Sequence, residues 1–254
     1  MLLYYNVFLY YFCEKEKMHR IHSRFIKPDM KMSELINENY YLLLALQHFS
    51  IDFVVADKTV QQICAENTIH TDTFLVIANL YNGFHPSIQN LEGSEPIKTL
   101  IQFLQNSHRF YKSDIYPEIK TYIHQLQANH DSTDIHLIEH FFYEYFTEVV
   151  EHLDYEDDIA FPYFCNLIGD RANTSKAAFS VNEYREHHSD IETKLADLKN
   201  LLLKYIPMEK DYPLRRKFLF RLFELEFDLH IHSLIEETIL LPLVDHIEKQ
   251  RRDV

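Results

Sequence analysis

Two stretches of the chain share one eleven-residue pattern, HLDYEDDIAFP at residues 152–162 and HSLIEETILLP at residues 232–242. His, Glu, a second acidic residue, Ile, an apolar residue and Pro recur at the same offsets without a gap. Both copies stand near the ends of long segments in which apolar residues return every three or four positions, the spacing of one face of an α-helix. This repeated His-x-x-x-Glu motif is the strongest signal of fold and function in the chain.

The His and the Glu of each copy continue the apolar face of their helix. That face consists, in residues 133–168, of Ile138, Phe142, Tyr145, Val149, His152, Glu156 and Ile159, and, in residues 211–250, of Leu222, Leu225, Leu229, His232, Glu236 and Leu240. An ionised carboxylate on a buried face is costly unless it is paired or bound to a metal. We therefore predict that a cation lies between Glu156 and Glu236.

Two further segments with helical periodicity each place one histidine on the apolar face. They are residues 96–126, with His108, and residues 179–206, with His188. The predicted ligands are thus His108, His152, Glu156, His188, His232 and Glu236. Imidazole and carboxylate suit iron, manganese or zinc better than calcium or magnesium. Two carboxylates that can bridge indicate two metal ions, with coordination positions left open for a small external ligand.

Other polar residues lie near these positions in the sequence. Tyr111 and Tyr155 are predicted beside the ligands, either as redox groups or as hydrogen-bonding core residues. His230 is two residues from His232, about 200° around a helix, and is expected to face solvent. The remaining histidines of these segments are expected to lie at the surface or outside the ligand set; they are His124, His130, His136, His140 and His187.

Composition excludes several classes of function. The formal net charge is -14, which argues against a nucleic-acid partner and against binding to an anionic membrane surface. Only 3 glycines are present, too few for a Gly-rich phosphate loop, and this scarcity favours helices with short connections. The 3 cysteines form no CxxC pair, so a reduced, cytoplasmic protein is expected.

Composition also suggests domain boundaries. Residues 1–28 are predicted to form an extension that is apolar and aromatic up to Cys13. It is interpreted as disordered, as the product of a start codon assigned too early, or as an interfacial anchor, and its apolar run is too short to span a bilayer. Residues 29–82 are predicted to form a small helical domain. Residues 83–95 carry two of the three glycines and form the predicted linker. Residues 96–254 are predicted to form an antiparallel four-helix bundle, so the expected fold is all-α.

Four segments of the chain resemble one known family. They are NSHRFYKSDIYPEI at 106–119, EHLDYEDDIAFPYF at 151–164, HHSDIETKLADLKNLL at 187–202 and DLHIHSLIEETILLP at 228–242. Through them the chain resembles the hemerythrin-like di-iron proteins, specifically the repair of iron centres (RIC) family, also called the iron–sulfur cluster repair di-iron proteins. The resemblance implies a hemerythrin-like bundle in which the six predicted ligands hold two iron ions, bridged by carboxylates and by an oxo or hydroxo group. Ferritin-like bundles instead use Glu-x-x-His.

The N-terminal part also resembles the small leading domain of that family, with one departure. The family typically has a Cys-Cys pair after Ile-Asp-Phe, whereas here Ile51, Asp52 and Phe53 are followed by Val54 and Val55. A role of that thiol pair in metal transfer therefore cannot be carried over to this chain.

The resemblance implies a cytoplasmic protein of the response to nitric oxide and oxidative stress. It would repair damaged iron–sulfur clusters by donating iron, so damaged iron–sulfur proteins are its expected clients, and it would not be a conventional enzyme. Two alternatives stay open: a sensor or store that binds dioxygen or nitric oxide, and a di-iron oxidoreductase. The sequence leaves open whether the protein is a monomer or a homodimer.

Overall fold

The computed structural model describes residues 24–91, 93–130, 132–169, 191–204 and 211–252. Within these ranges the regular elements are helices, and the only β-type pairing is an isolated bridge between Lys31 and Thr59. The prediction of an all-α fold is confirmed. Within the same ranges, no helix combines the length and the apolar character needed to cross a lipid bilayer. The chain divides into two compact units, described separately below.

The first unit consists of the described residues up to Gln47 together with Ile51–Ser87. Its helices are α1 (Met32–Glu38), α2 (Leu42–His48), α3 (Val60–Glu66) and α4 (Thr71–Tyr81), and the last residue of α2 belongs to the second unit. The unit begins before residue 29, since Ile26 is buried and its backbone exchanges two hydrogen bonds, of 2.7 and 3.1 Å, with the side chain of Asn79. Residues 24–28 are thus part of a packed unit rather than of an extension.

The second unit consists of His48–Ser50 together with the described residues of 88–254. Its helices are α5 (Ser94–Phe110), α6 (Tyr116–Asn129), α7 (Thr133–Tyr155), α8 (Phe161–Ile168), α9 (Ile191–Lys204), α10 (Tyr212–Ile235) and α11 (Leu241–Arg252). Three five-residue π-turns join α5 to α6, α7 to α8 and α10 to α11, which makes three long helical rods. The described part of a fourth rod is α9.

The rods enclose one apolar core. Helix α6 packs on α7, α7 on α9, α9 on α10, and α10 on α6, so the contacts close a ring. Leucine, isoleucine and phenylalanine side chains from all four helices fill it, including Ile123, Phe142, Leu198, Phe218 and Leu222. At the other end of the unit α5 packs on α8 and α10, and α8 packs on α11. The π-turns lie between these two sets of contacts along each rod.

Each π-turn is followed by a proline at the second position of the next helix, Pro117, Pro162 or Pro242. The amide preceding each proline bonds five residues back, to the carbonyl of the residue that opens the turn; these residues are Tyr111, Glu156 and Glu236. Proline has no N–H and its ring collides with the carbonyl four residues earlier in a regular α-helix. A wider turn at this point relieves that collision while the rod continues.

One prediction about the helix faces is wrong because of the second π-turn. A regular helix would bury Ile159 three residues after Glu156, but Ile159 is 46% exposed and Ala160 is fully buried instead. The π-turn contains one residue more than an α-turn, so the buried face moves on by one position. The α-helical period therefore holds up to Glu156 and fails directly after it.

Deleting one residue tests this interpretation. Removal of Asp158, which is exposed and lies in the second π-turn, should convert the turn to an α-turn, bent by the returning collision at Pro162, while the helices on both sides keep their faces. Circular dichroism and cooperative thermal unfolding should be retained, and metal binding should fall because the turn that Glu156 opens has changed.

The matched control removes Glu144, an exposed residue in the regular part of α7. This deletion rotates the rest of the rod by about 100° and turns its apolar face towards water, so the fold should be lost. Equal damage from both deletions would contradict the interpretation.

Candidate metal centre

Both His-x-x-x-Glu pairs lie where a rod changes from α-helix to π-turn. His152 lies in the last turn of α7 and Glu156 opens the second π-turn; His232 and Glu236 stand in the same relation on α10. Within each pair the side chains meet, with Nε2 of the histidine 3.1 Å from Oε1 of Glu156 in the first and 3.2 Å from Oε1 of Glu236 in the second. A spacing of four residues places both side chains on one helix face.

Four buried side chains from three rods converge at this level. They are His108, Glu156, His232 and Glu236, and each offers one ligand atom within 4.8 Å of all the others. Nε2 of His108 is 3.3 Å from Nε2 of His232 and 3.3 Å from Oε2 of Glu156. Two atoms bound tetrahedrally to one ion at about 2.1 Å are separated by about 3.4 Å. The spacing therefore fits atoms that share a cation, and the four residues could hold a metal ion.

Glu156 stands between two imidazoles. Its Oε2 faces Nε2 of His108, and its Oε1 faces Nε2 of His152. His152 is outside the group of four but touches it through this carboxylate. A carboxylate whose two oxygens face different nitrogen donors has the arrangement needed to bridge two cations.

The remaining predicted site residues have different outcomes. His188 lies outside the described residues. Tyr111 is fully buried, with its ring 5.9 Å from that of His232 and its hydroxyl bonded to Asp228 at 2.9 Å. Tyr155 is half-buried. His230 is exposed, as its position two residues from His232 predicts.

Hydrogen bonds behind the imidazoles set their orientation. Nδ1 of His108 is 3.0 Å from Oδ1 of Asp157, and Lys112 holds that carboxylate in turn at 3.2 Å. Nδ1 of His232 is 2.9 Å from Oγ of Ser107. A carboxylate that accepts from Nδ1 fixes the ring and leaves Nε2 to the metal, which raises the basicity of the ligand. Asp157 is the second acidic residue of the repeated pattern, and its contact with His108 explains its presence there: it orients the imidazole.

The pKa values at the centre indicate that, without a cation, a proton on an imidazole balances the negative charge of a buried carboxylate. Burial lowers the pKa of His108, but its bonds to Asp157 and Glu156 outweigh burial and raise that pKa to about 9. Burial raises the pKa of Glu156, but bonds to His108 and His152 outweigh it and hold that pKa well below its usual range. The proton on His108 therefore balances the buried charge of Glu156, a task that a metal ion would take over.

Sequence reasoning missed a second buried polar group in the same unit. Oδ2 of Asp228 is 2.8 Å from Nε2 of His48 and accepts the hydrogen bond of Tyr111, and all three side chains are 1% exposed. Asp228 is four residues before His232, on the same helix face, so spacing alone could have pointed to it. His48 comes from a distant part of the chain, and no local pattern predicts its position.

Comparison with known proteins gives no assignment, since no family model matches the sequence and no match is found among curated proteins. The likeness to the repair of iron centres family remains a resemblance of motifs. The donor set itself is compatible with iron, manganese or zinc.

Replacing Asp157 by Asn should weaken metal binding by about 10- to 100-fold, because the amide no longer holds the Nδ1 proton of His108 as a carboxylate does. A competition titration against a chromogenic chelator measures the affinity. The matched control is Asp158→Asn, which removes the neighbouring exposed carboxylate and should bind as the unchanged protein does. Equal affinities of the two variants would exclude Asp157 as an orienting residue.

The metal-free protein should lose stability as pH rises from about 6.5 to about 9. The pKa of His108 is raised from 6.5 to about 9 on folding. The stabilisation is therefore complete below about 6.5 and disappears as pH rises through about 9, at a cost of roughly 1–3 kcal/mol.

Thermal unfolding of metal-free protein across this range measures the loss, and His108→Gln should flatten the profile. The metal-loaded protein should not show the fall, because the cation replaces the proton. Rising stability of the metal-free protein over this interval would contradict the assignment.

Proposed function

We propose that the protein is a non-haem di-iron protein with a hemerythrin-like four-helix arrangement and that it donates iron to damaged iron–sulfur clusters. The observation that carries this proposal is the position of Glu156, whose two oxygens face the imidazoles of His108 and His152 inside a buried His and Glu cluster. The motif resemblance supports iron and cluster repair. Bound iron would supply Lewis acidity and one-electron chemistry.

The residues divide between two iron positions. His108, His232, Glu236 and Oε2 of Glu156 would hold the first iron. Oε1 of Glu156 and His152 would hold the second, and His188 completes the set that the sequence predicts. With two imidazoles and the shared carboxylates as ligands, each iron ion would keep open coordination positions. An oxo or hydroxo bridge and a small external ligand could occupy them.

Iron on the His152 side is the one we expect to be released. The side chain of His152 is 9% exposed, whereas that of His108 is fully buried and is also held by Asp157. Among the described residues, the His152 side has fewer donors than the side formed by His108, His232 and Glu236. A ligand nearer to solvent exchanges its metal more readily. The iron that leaves is the substrate of this transfer.

Iron content and transfer test the proposal together. Protein from iron-supplemented cells should contain close to two iron ions per chain and show near-ultraviolet oxo-bridge absorption. After reduction with dithionite in the absence of oxygen, it should reactivate a [4Fe–4S] dehydratase that has lost its labile iron, in the presence of a chelator that captures free ferrous iron.

Two variants sharpen the test. His152→Ala should retain about one iron and lose the transfer, whereas His230→Ala, an exposed histidine on α10, should transfer iron as the unchanged protein does. A loaded protein that fails to reactivate the enzyme when free ferrous iron succeeds would exclude donation. A preparation that binds one zinc ion and no iron would exclude the di-iron centre as well.

A further inference from the structure

The group formed by His48, Asp228 and Tyr111 is not accounted for by metal binding. Oδ2 of Asp228 receives both the Tyr111 hydroxyl, at 2.9 Å, and Nε2 of His48, at 2.8 Å. A buried carboxylate without a metal is costly and is tolerated only with close hydrogen-bonding partners. Apolar residues of similar volume would often stabilise such a position at least as well. The presence of this group next to the candidate metal centre therefore requires a separate explanation.

The group is held rigidly. The side-chain amide of Asn106 donates to the backbone carbonyl of His48 at 2.6 Å and to Oγ of Ser50 at 3.1 Å, which holds the backbone at His48. The ring of His48 packs edge-on against Phe103, with centroids 5.2 Å apart, and lies 5.4 Å from Phe110. His48 thus has one orientation, in which Nε2 points at Asp228.

Tyr111 occupies a distinctive place in the π-turn repeat. It opens the first π-turn six residues before Pro117, as Glu156 and Glu236 open theirs six residues before Pro162 and Pro242. The first rod therefore presents a phenol at the position where the other two present metal-binding carboxylates. The ring lies 5.9 Å from that of His232, while the hydroxyl is turned to Asp228.

We propose that Tyr111 is a redox-active tyrosine that gives one electron to the metal centre and its phenolic proton to Asp228. The inference rests on the proposed di-iron centre and adds to it a one-electron reaction with dioxygen or hydrogen peroxide as the oxidant. Asp228 and His48 act as positioning and proton-accepting residues. Tyr111 alone is oxidised.

The step balances within these groups. The O–H bond of Tyr111 breaks, and its proton crosses the existing hydrogen bond to Oδ2 of Asp228, in which the two oxygens are 2.9 Å apart. Tyr111 becomes a neutral phenoxyl radical, and iron held by the four clustered ligands and oxidised by dioxygen or peroxide would take up the electron. A phenol is protonated at neutral pH, so electron loss requires a proton acceptor within hydrogen-bond reach, and Asp228 is in that position.

A purely structural role predicts a different result. If Tyr111 only fills space and satisfies Asp228, oxidation of the loaded protein leaves no tyrosyl radical. Electron paramagnetic resonance separates the two cases, because a tyrosyl radical has ring-proton hyperfine structure that narrows when ring-deuterated tyrosine is incorporated.

The experiment uses the full chain, loaded with ferrous iron without oxygen, then mixed with dioxygen or hydrogen peroxide and frozen at intervals. We expect an organic radical whose spectrum narrows with ring-deuterated tyrosine. Tyr111→Phe should bind the same iron and lose the signal, whereas Tyr145→Phe, a buried tyrosine of the apolar core, should keep it. Asp228→Asn should lose most of it, because the amide cannot take the proton.

The outcomes distinguish this inference from the function on which it rests. Two irons per chain without a tyrosyl signal, or an unchanged signal in Tyr111→Phe, would overturn the redox role and leave the di-iron proposal standing. An unchanged signal in Asp228→Asn would overturn the assignment of Asp228 as proton acceptor. A chain that binds no iron would overturn both proposals. If Tyr111→Phe fails to fold, loss of the deuterium-narrowed signal in Asp228→Asn assigns the radical to the tyrosine bonded to that carboxylate, and an unchanged signal overturns the assignment.

Discussion

Two carboxylates buried inside a helical unit are the constraint on which the rest of the site depends. Glu156 and Glu236 are held in a volume that excludes water, and the free energy of leaving them ionised and uncompensated there is prohibitive. His152 and His232, each one helical turn before its glutamate, face the carboxylates. His108, from another rod, adds a third imidazole, and its raised pKa favours a proton there that balances the charge of Glu156. A bound metal ion would neutralise the two carboxylates more strongly than these hydrogen bonds and this proton do. Folding of this end of the unit would then be coupled to metal binding.

The π-turns determine where along the rods the metal-binding side chains lie. Regular α-helices pack an apolar core of leucine, isoleucine and phenylalanine, whereas the proline that follows each turn cannot continue the α-helical hydrogen bonds across it. The ligands stand at the change from α-helix to π-turn, and the backbone is widest there. Unusual backbone at a functional position is thus produced by a simple sequence device, a proline six residues after the ligand.

Several features of this arrangement could be predicted from sequence because they depend on local spacing. The four-residue step from His152 to Glu156 and from His232 to Glu236 identifies a helix face, and the apolar pattern around it indicates burial. The exposure of Ile159 could not be predicted from an α-helical period, since the π-turn changes that period. His48 and Asp228 are 180 residues apart in the sequence, and a local sequence pattern cannot predict a tertiary contact between them. Asp157 lay within the repeated motif, but its role required knowing that His108 approaches from another rod.

A π-turn differs from an α-turn by one residue, so it can be gained or lost by a single inserted or deleted codon while the flanking helices keep their partners. Three rods of this unit carry such an insertion at the same distance from a proline. An ancestral helical unit could therefore have acquired its inward-facing polar residues one rod at a time, with each step leaving a folded protein. The same property can be used in protein design. Inserting one residue ahead of a proline in a helical scaffold without function would create a π-turn, and a new inward-facing side chain could be introduced there without redesign of the core.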